Sequence, residues 1–198
     1  MDPAFWNSRY EADEFVYGLS PNLFLKERLD LLRPGKLLLP GEGEGRNALY
    51  AAQQGWNTDA FDQSEAGRQK AEKLKLQFNV SFNYFVSDVN DFVYKSDYYD
   101  AAGLVFFHLP PELRDRFHQK LIFSLRPGGI LIAELFHKEQ AGRNTGGPKN
   151  PELLYSEEEL LQAFAALHIL LLEKKTVLLD EGPLHHGEAV VLRMVAQK

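Results

Sequence analysis

From Lys36 to Phe136 the sequence alternates short apolar runs with segments of helical period, and that alternation constrains the fold more than any other feature. Lys36-Leu37-Leu38-Leu39-Pro40 is a continuous apolar run between turn signals, the pattern of a strand buried on both faces of a parallel sheet. Residues 41–45 then read as a loop, 47–54 as a helix, 56–61 as a strand, 64–78 as a helix and 80–86 as a third strand. A loop or weak helical stretch at 88–95 precedes a fourth strand at 99–106. Pro110-Pro111 opens a helix in which Leu113, Phe117, Leu121 and Leu125 recur every fourth residue, and Arg126-Pro127-Gly128-Gly129 turns the chain into a fifth strand at 130–136. Upstream, Ser20-Pro21 reads as an N-cap and first-turn proline before Leu25, Leu29 and Leu32, a helix that stops at Pro34-Gly35.

The C-terminal third changes character. Residues 138–151 form the one long irregular stretch, rich in Gly, Asn and Pro, and loops of that length in compact domains are usually functional or mobile. Ser156-Glu157-Glu158-Glu159 is a capping box before Leu160, Phe164 and Leu167. Residues 169–179 and 188–195 are strand patterns with no helix between them, which should pair antiparallel. The expected fold class is α/β, a Rossmann-like three-layer αβα arrangement with a mainly parallel seven-stranded sheet and one antiparallel edge strand. A length of 198 residues gives a prior of one domain, so 1–198 is expected to be a single unit, with 1–33 as an N-terminal cap and 34–198 as the core.

Composition narrows the chemistry. Lys+Arg 22 against Asp+Glu 28 leaves a formal charge of -6, which speaks against nonspecific nucleic-acid binding. The absence of Cys excludes disulfides, thiolate metal sites and a cysteine nucleophile. The longest apolar stretch, near 163–172, contains His168 and ends in Glu173-Lys174-Lys175, far short of the roughly 18 residues a membrane span needs. Met1-Asp2-Pro3 starts no basic-then-apolar leader. A cytoplasmic protein with a small-molecule partner, and neither nucleic acid nor membrane, is expected.

The strongest chemical signal is Gly41-Glu42-Gly43-Glu44-Gly45, directly between the first strand and its helix. Glycines there let the backbone turn sharply and let a ligand lie against it at the carboxyl edge of the sheet. A tight strand-to-helix connection is the alternative reading. Asp62, seventeen residues after Gly45, ends the second strand, where a carboxylate can accept both hydroxyls of a ribose. Gly43-x-Gly45-x-x-Ala48 also satisfies a relaxed dinucleotide pattern. Against it stand Glu42 and Glu44, which would have to face a pyrophosphate, the lack of a Tyr-x-x-x-Lys pair, and no room for a separate substrate domain. S-adenosylmethionine, with a ribose, a positive sulfur, a free amino group and no phosphate, fits these facts.

At this point the chain resembles the class I S-adenosylmethionine-dependent methyltransferases along essentially its whole length. The resemblance places the cofactor's methionine part on Gly41, Glu42, Gly43 and Gly45, its ribose on Asp62 with Gln63, and its adenine on Asp88 with Val89. The run ending in Phe106-Phe107-His108 looks like the family's fourth strand and Leu125-Arg126-Pro127-Gly128-Gly129 like its turn before the fifth. More narrowly, Gly41 to Asn47 looks like the loop of the tellurite-resistance and thiopurine methyltransferase-like branch, and Trp6-x-x-Arg9-Tyr10 fits that branch too. Trp6, Arg9 and Phe106 join the candidate cofactor contacts on this basis, with Arg9 meeting the cofactor carboxylate. Two residues before the first glycine, where many relatives carry an acid, this chain has Leu39, so the methionine ammonium needs another partner, a backbone carbonyl or Glu42. No Asn/Asp-Pro-Pro-Tyr/Phe motif follows the fourth strand, which disfavours DNA amino-methylation.

The resemblance implies methyl transfer to a small acceptor: a thiol, a chalcogen oxyanion or another small nucleophile. The rival functions are a noncatalytic cofactor-binding protein and a nicotinamide-dependent oxidoreductase. No dedicated base is obligatory in methyl transfer, because the cofactor carries the activation. His108 is the base candidate, being placed just after the fourth strand, and its alternative role is a ring packed or hydrogen-bonded in the loop. Glu134 and His137, near the end of the fifth strand, could line a substrate pocket. His185 and His186 read as an exposed turn, His168 as a partly buried core histidine, and His118 as part of a polar helix face; no metal site is expected. The aromatic N-terminus, with Trp6, Tyr10, Phe15 and Tyr17, is either a helix packed on the sheet or a flap over the ligand. Gly146-Gly147-Pro148-Lys149 is either the opposite wall or a connector.

Overall fold

The computed structural model describes residues 3–198. Along the chain lie α1 (Pro3–Tyr10), α2 (Leu23–Leu29), β1 (Lys36–Pro40), α3 (Arg46–Gln53), β2 (Asn57–Asp62), α4 (Glu65–Phe78), β3 (Asn83–Val86), β4 (Tyr99–Val105), α5 (Pro111–Ser124), β5 (Leu125–Phe136), α6 (Glu157–Ala163), β6 (His168–Asp180) and β7 (His186–Gln197). The seven strands form one sheet in the order β3-β2-β1-β4-β5-β7-β6. Strands β1 to β5 pair in parallel, and β7 runs antiparallel to both β5 and β6. The order reverses between β1 and β4, the point at which an open parallel sheet leaves a crevice beyond its carboxyl ends.

The core follows from the apolar runs. Leu37, Leu38 and Leu39 of β1 are buried and divide between two clusters, one on each face of the sheet. Alternate side chains of a strand point to opposite faces, so a run that is apolar at every position is covered on both sides.

Element boundaries differ from the sequence reading where local chemistry competes. α2 starts after Asn22 rather than Ser20, because the Asn22 carboxamide accepts the backbone N–H of Leu25 at 2.9 Å. β5 begins at Leu125, and Arg126-Pro127-Gly128-Gly129 loops out of its pairing with β4 as an irregularity between Tyr99 and Ala101. The capping box of α6 forms as expected, with Ser156 as its N-cap.

Two histidine readings change with packing. His118 is buried, its ring 4.8 Å from that of Phe164, and its Nδ1 has no hydrogen-bond partner. His168 is exposed, since it opens the outermost strand. Burial, with the Arg114 guanidinium nearby, pushes His118 down to about 4. A buried neutral imidazole contributes stability that is complete above the ordinary histidine value and is lost as pH falls towards the folded value. Between pH 7 and 5 this loss amounts to about 2 kcal/mol. His118→Phe is therefore expected to show a shallower fall in melting temperature from pH 7 to pH 5 than the wild-type protein, measured by calorimetry; parallel curves would reject the assignment.

Candidate functional site

One cavity of about 910 Å³ opens at the carboxyl ends of the parallel strands. It sits at the upper end of the roughly 300–1,000 Å³ usual for small-molecule sites. Trp6, Arg9, Gly41, Glu42, Gly43, Asp62, Gln63, Asp88, Val89, Phe106 and His108 all line it. Gly45 does not; a β-carbon there would lie 2.7 Å from that of Ala71, so this glycine lets α3 and α4 approach each other.

The loop after β1 is a cradle tied to β2. Glu42 N–H donates to Phe61 O at 3.1 Å and Gly43 N–H to Asp62 Oδ2 at 3.1 Å, while Ser64 N–H donates to Asp62 Oδ1 at 2.9 Å. Burial pushes the Asp62 carboxyl up to about 6, opposed by these backbone donors. A carboxylate has about four lone-pair sites, so accepting ribose hydroxyls remains open to it. Gly41 has φ +62°, and a β-carbon on it would come within 2.1 Å of the Phe107 ring. Gly41→Ala is expected to cost about 1–3 kcal/mol of stability in chemical denaturation and to weaken ligand binding. Wild-type stability in this variant would mean that the loop yields.

The two loop acids have different jobs. Glu42 is buried and turns back on the helix that follows, accepting Ala48 N–H at 2.7 Å and Asn47 Nδ2–H at 3.2 Å. Its carboxyl is pushed up to about 7 by burial, with those donors opposing the shift. Glu44 faces the N-terminal segment. It pairs with Lys70 at 2.7 Å and accepts the N–H groups of Val16 and Tyr17, each at 3.2 Å. Both residues line the cavity, but the Glu44 carboxylate is already engaged by Lys70 and the 16–17 backbone.

That clasp draws residues 3–18 over the cavity. α1 packs on α4, where Asn7 Oδ1 accepts from Ser64 Oγ and Ala66 N. Phe5, Trp6, Arg9, Tyr10 and Tyr17 form the roof, and Arg9 Nη1 donates to the Tyr17 hydroxyl at 2.9 Å. On the far side the irregular 138–151 stretch supplies Gly146, Gly147, Pro148 and Lys149 to the wall.

Residues 38–129 match the family model described as "Methyltransferase domain". Over that span the chain is similar to methyltransferase domains. A 2-heptyl-1-hydroxyquinolin-4(1H)-one methyltransferase of Mycobacteroides abscessus is 30% identical over 139 residues, 64% of this chain and 60% of that protein. The chain thus spans less than two thirds of the curated relative's length. Among solved structures, one concerned with "Conversion of a Disulfide Bond into a Thioacetal Group during Echinomycin Biosynthesis" superposes with TM-score 0.79 at 16% identity, over 99% of this chain and 91% of that one. TehB from Haemophilus influenzae follows with TM-score 0.74 at 17% identity, over 99% of this chain and 66% of the other. No helix among the described residues is long and apolar enough to cross a membrane.

His108 is held as a structural group, which corrects its reading as a base. Its Nδ1 bonds Leu153 O at 2.8 Å and its Nε2 accepts Phe136 N–H at 3.3 Å, so neither ring nitrogen is free. Burial lowers it to about 4 and keeps it neutral. Glu134 and His137 also stay outside the cavity. Glu134 accepts from Asn22 Nδ2 at 2.7 Å and pairs with Arg193, while His137 Nε2 lies 3.1 Å from Glu157.

His185, read from sequence as part of an exposed turn, is buried and, like His108, lines the cavity, whereas His186 is exposed. Its ring meets those of Tyr17 at 4.5 Å and Phe106 at 4.8 Å. Its Nδ1 is sealed in the protein 3.6 Å from Glu181 Oε2, which leaves Nε2 as the nitrogen the cavity can reach. Burial lowers the His185 value, so the ring is neutral at pH 7. Burial alone would raise Glu181, but His185 and Arg46 beside it bring its carboxyl down to about 2. The only sequence hint was Glu181 four residues before His185; their burial depends on residues 16–18 packing against the β6–β7 turn, where Leu184 N–H donates to Val16 O at 3.3 Å.

Proposed function

We propose that the protein transfers the methyl group of S-adenosylmethionine to a small-molecule acceptor. The observation that carries this reading is Glu42 seated on the N-terminus of α3. The exposed N–H groups there are where a dinucleotide's pyrophosphate would bind, and the chain's own carboxylate already occupies them. What remains suits a nucleoside without phosphate and with positive charge. Among the described lining residues the acids, Glu42, Glu44, Asp62 and Asp88, belong to the β1, β2 and β3 ends.

Asp62 would accept the ribose hydroxyls, Asp88 and the backbone of Val89 would take the adenine edge, and the Gly41 to Gly43 backbone would hold the methionine part. S-adenosylmethionine, held there, would supply an activated methyl group. The protein's share is to align the acceptor, to exclude water with Trp6, Tyr10 and Tyr17, and to take the acceptor's proton on His185 Nε2, with Glu181 orienting the ring. The M. abscessus relative, named for a hydroxyquinolone substrate, supports a small acceptor.

Isothermal titration with S-adenosylmethionine and with NADH separates this reading from its rivals. Micromolar binding of the sulfonium compound, and release of S-adenosylhomocysteine with a panel of small acceptors, is expected. Enhanced NADH fluorescence without any response to S-adenosylmethionine would overturn it.

A further inference from the structure

The cavity is divided by sheet order. Strands β3, β2 and β1 carry the acids, and the other half is built from the ends of β4 and β5, the β6–β7 turn and the 138–151 loop. Among the described lining residues this second half carries no carboxylate, and its charged side chains are Arg143 and Lys149 at the rim.

Its inner surface is a stack of rings. Phe106 and Phe136 lie 4.5 Å apart at 19°, and His108 continues the stack beyond Phe136 at 5.6 Å and 22°. His185 stands edge-on to both phenylalanines, at 80° and 83°. Phe136 is fully buried and Phe106 only partly, so the stack ends in the cavity on a Phe106 face. Phe106 holds that position with φ +47°, a left-handed backbone that a bulky residue seldom adopts. Gly146 and Gly147 press on the opposite side, where added β-carbons would lie 3.1 and 2.9 Å from the Phe136 ring.

We propose that the methyl acceptor is a flat aromatic molecule with an ionisable ring hydroxyl, stacked on Phe106 with that hydroxyl towards His185. An aromatic face extends a ring stack, whereas a chalcogen oxyanion or an aliphatic thiol would leave this wall unmatched. The missing carboxylates and the rim cations suit an acceptor that is anionic when it reacts. His185 Nε2 takes the hydroxyl proton; the ring oxygen bonds the methyl carbon as the carbon–sulfur bond breaks with its pair on sulfur, and the imidazolium returns its proton to water. The inference rests on the methyl-transfer reading. The loop that resembles the tellurite-resistance branch lies in the cofactor half and says nothing of the acceptor.

The test is a fluorescence titration of the full chain, saturated with S-adenosylhomocysteine, with 7-hydroxycoumarin and with coumarin. The hydroxylated compound should bind about tenfold tighter or more. Phe106→Ala, checked for folding by circular dichroism, should weaken both ligands by about tenfold. Arg143→Gln/Lys149→Gln should weaken only 7-hydroxycoumarin. Equal binding of the two compounds, or binding indifferent to Phe106→Ala, overturns the inference. So does S-adenosylhomocysteine release with tellurite or 2-mercaptoethanol from a protein that binds no 7-hydroxycoumarin. Failure to bind S-adenosylhomocysteine at all overturns the methyl-transfer reading along with it.

Discussion

Asp62→Ala is expected to weaken S-adenosylmethionine binding by about 100-fold or more, read by titration calorimetry at pH 8. A hydrogen bond to a charged acceptor contributes about 1.5–3 kcal/mol, and in the proposed complex Asp62 would receive two from the ribose. The carboxylate also holds Gly43 N–H and Ser64 N–H, so its loss loosens the loop that would carry the methionine part. Its elevated value of about 6 adds a signature. Ionised Asp62 is the form that accepts, so wild-type affinity should fall as pH drops through about 6, and Asp62→Ala should lose that component. A variant that folds and binds like wild type would remove Asp62 from the site and with it the ribose assignment.

His185→Gln is expected to lower kcat by about 10²–10⁴-fold with an aromatic hydroxyl acceptor, while S-adenosylhomocysteine affinity stays close to wild type. Glutamine preserves much of the volume against Tyr17 and Phe106 but cannot take a proton. The pH profile separates proton removal from packing. Because burial keeps the wild-type imidazole neutral, the wild-type rate should stay nearly flat from pH 7 to 8. The variant's rate should instead rise about tenfold per pH unit until the acceptor ionises by itself. A variant that merely raises KM, with a flat profile, would reduce His185 to a wall residue.

Much of the cavity half built on β1, β2 and β3 was legible because its residues are short-range. The glycine loop, Asp62 and Asp88 follow directly on strands whose apolar runs are continuous, and Asp62 is fixed by backbone donors within two residues and across the adjoining loop. The opposite half was not legible. His108 and His185 were both visible, yet their surroundings were not, because the burial and the bonding of their ring nitrogens depend on Leu153, Phe136 and Tyr17, which lie far away in the chain. The partners of Glu44 were hidden for the same reason: Lys70 and the 16–17 backbone, which bind its carboxylate, are distant in sequence.

The sequence by itself determined the alternating sheet and the edge at which a ligand meets it, since hydrophobic period and turn residues are local properties that propagate along the chain. Only the tertiary structure decided what each loop carboxylate is bonded to, which histidine keeps a nitrogen available, and that the walls divide into an acidic and an aromatic half. Those are matters of desolvation and partner geometry, and they arise when segments separated by a hundred residues or more, such as Asn22 and Glu134 or Arg46 and Glu181, are brought within hydrogen-bond reach.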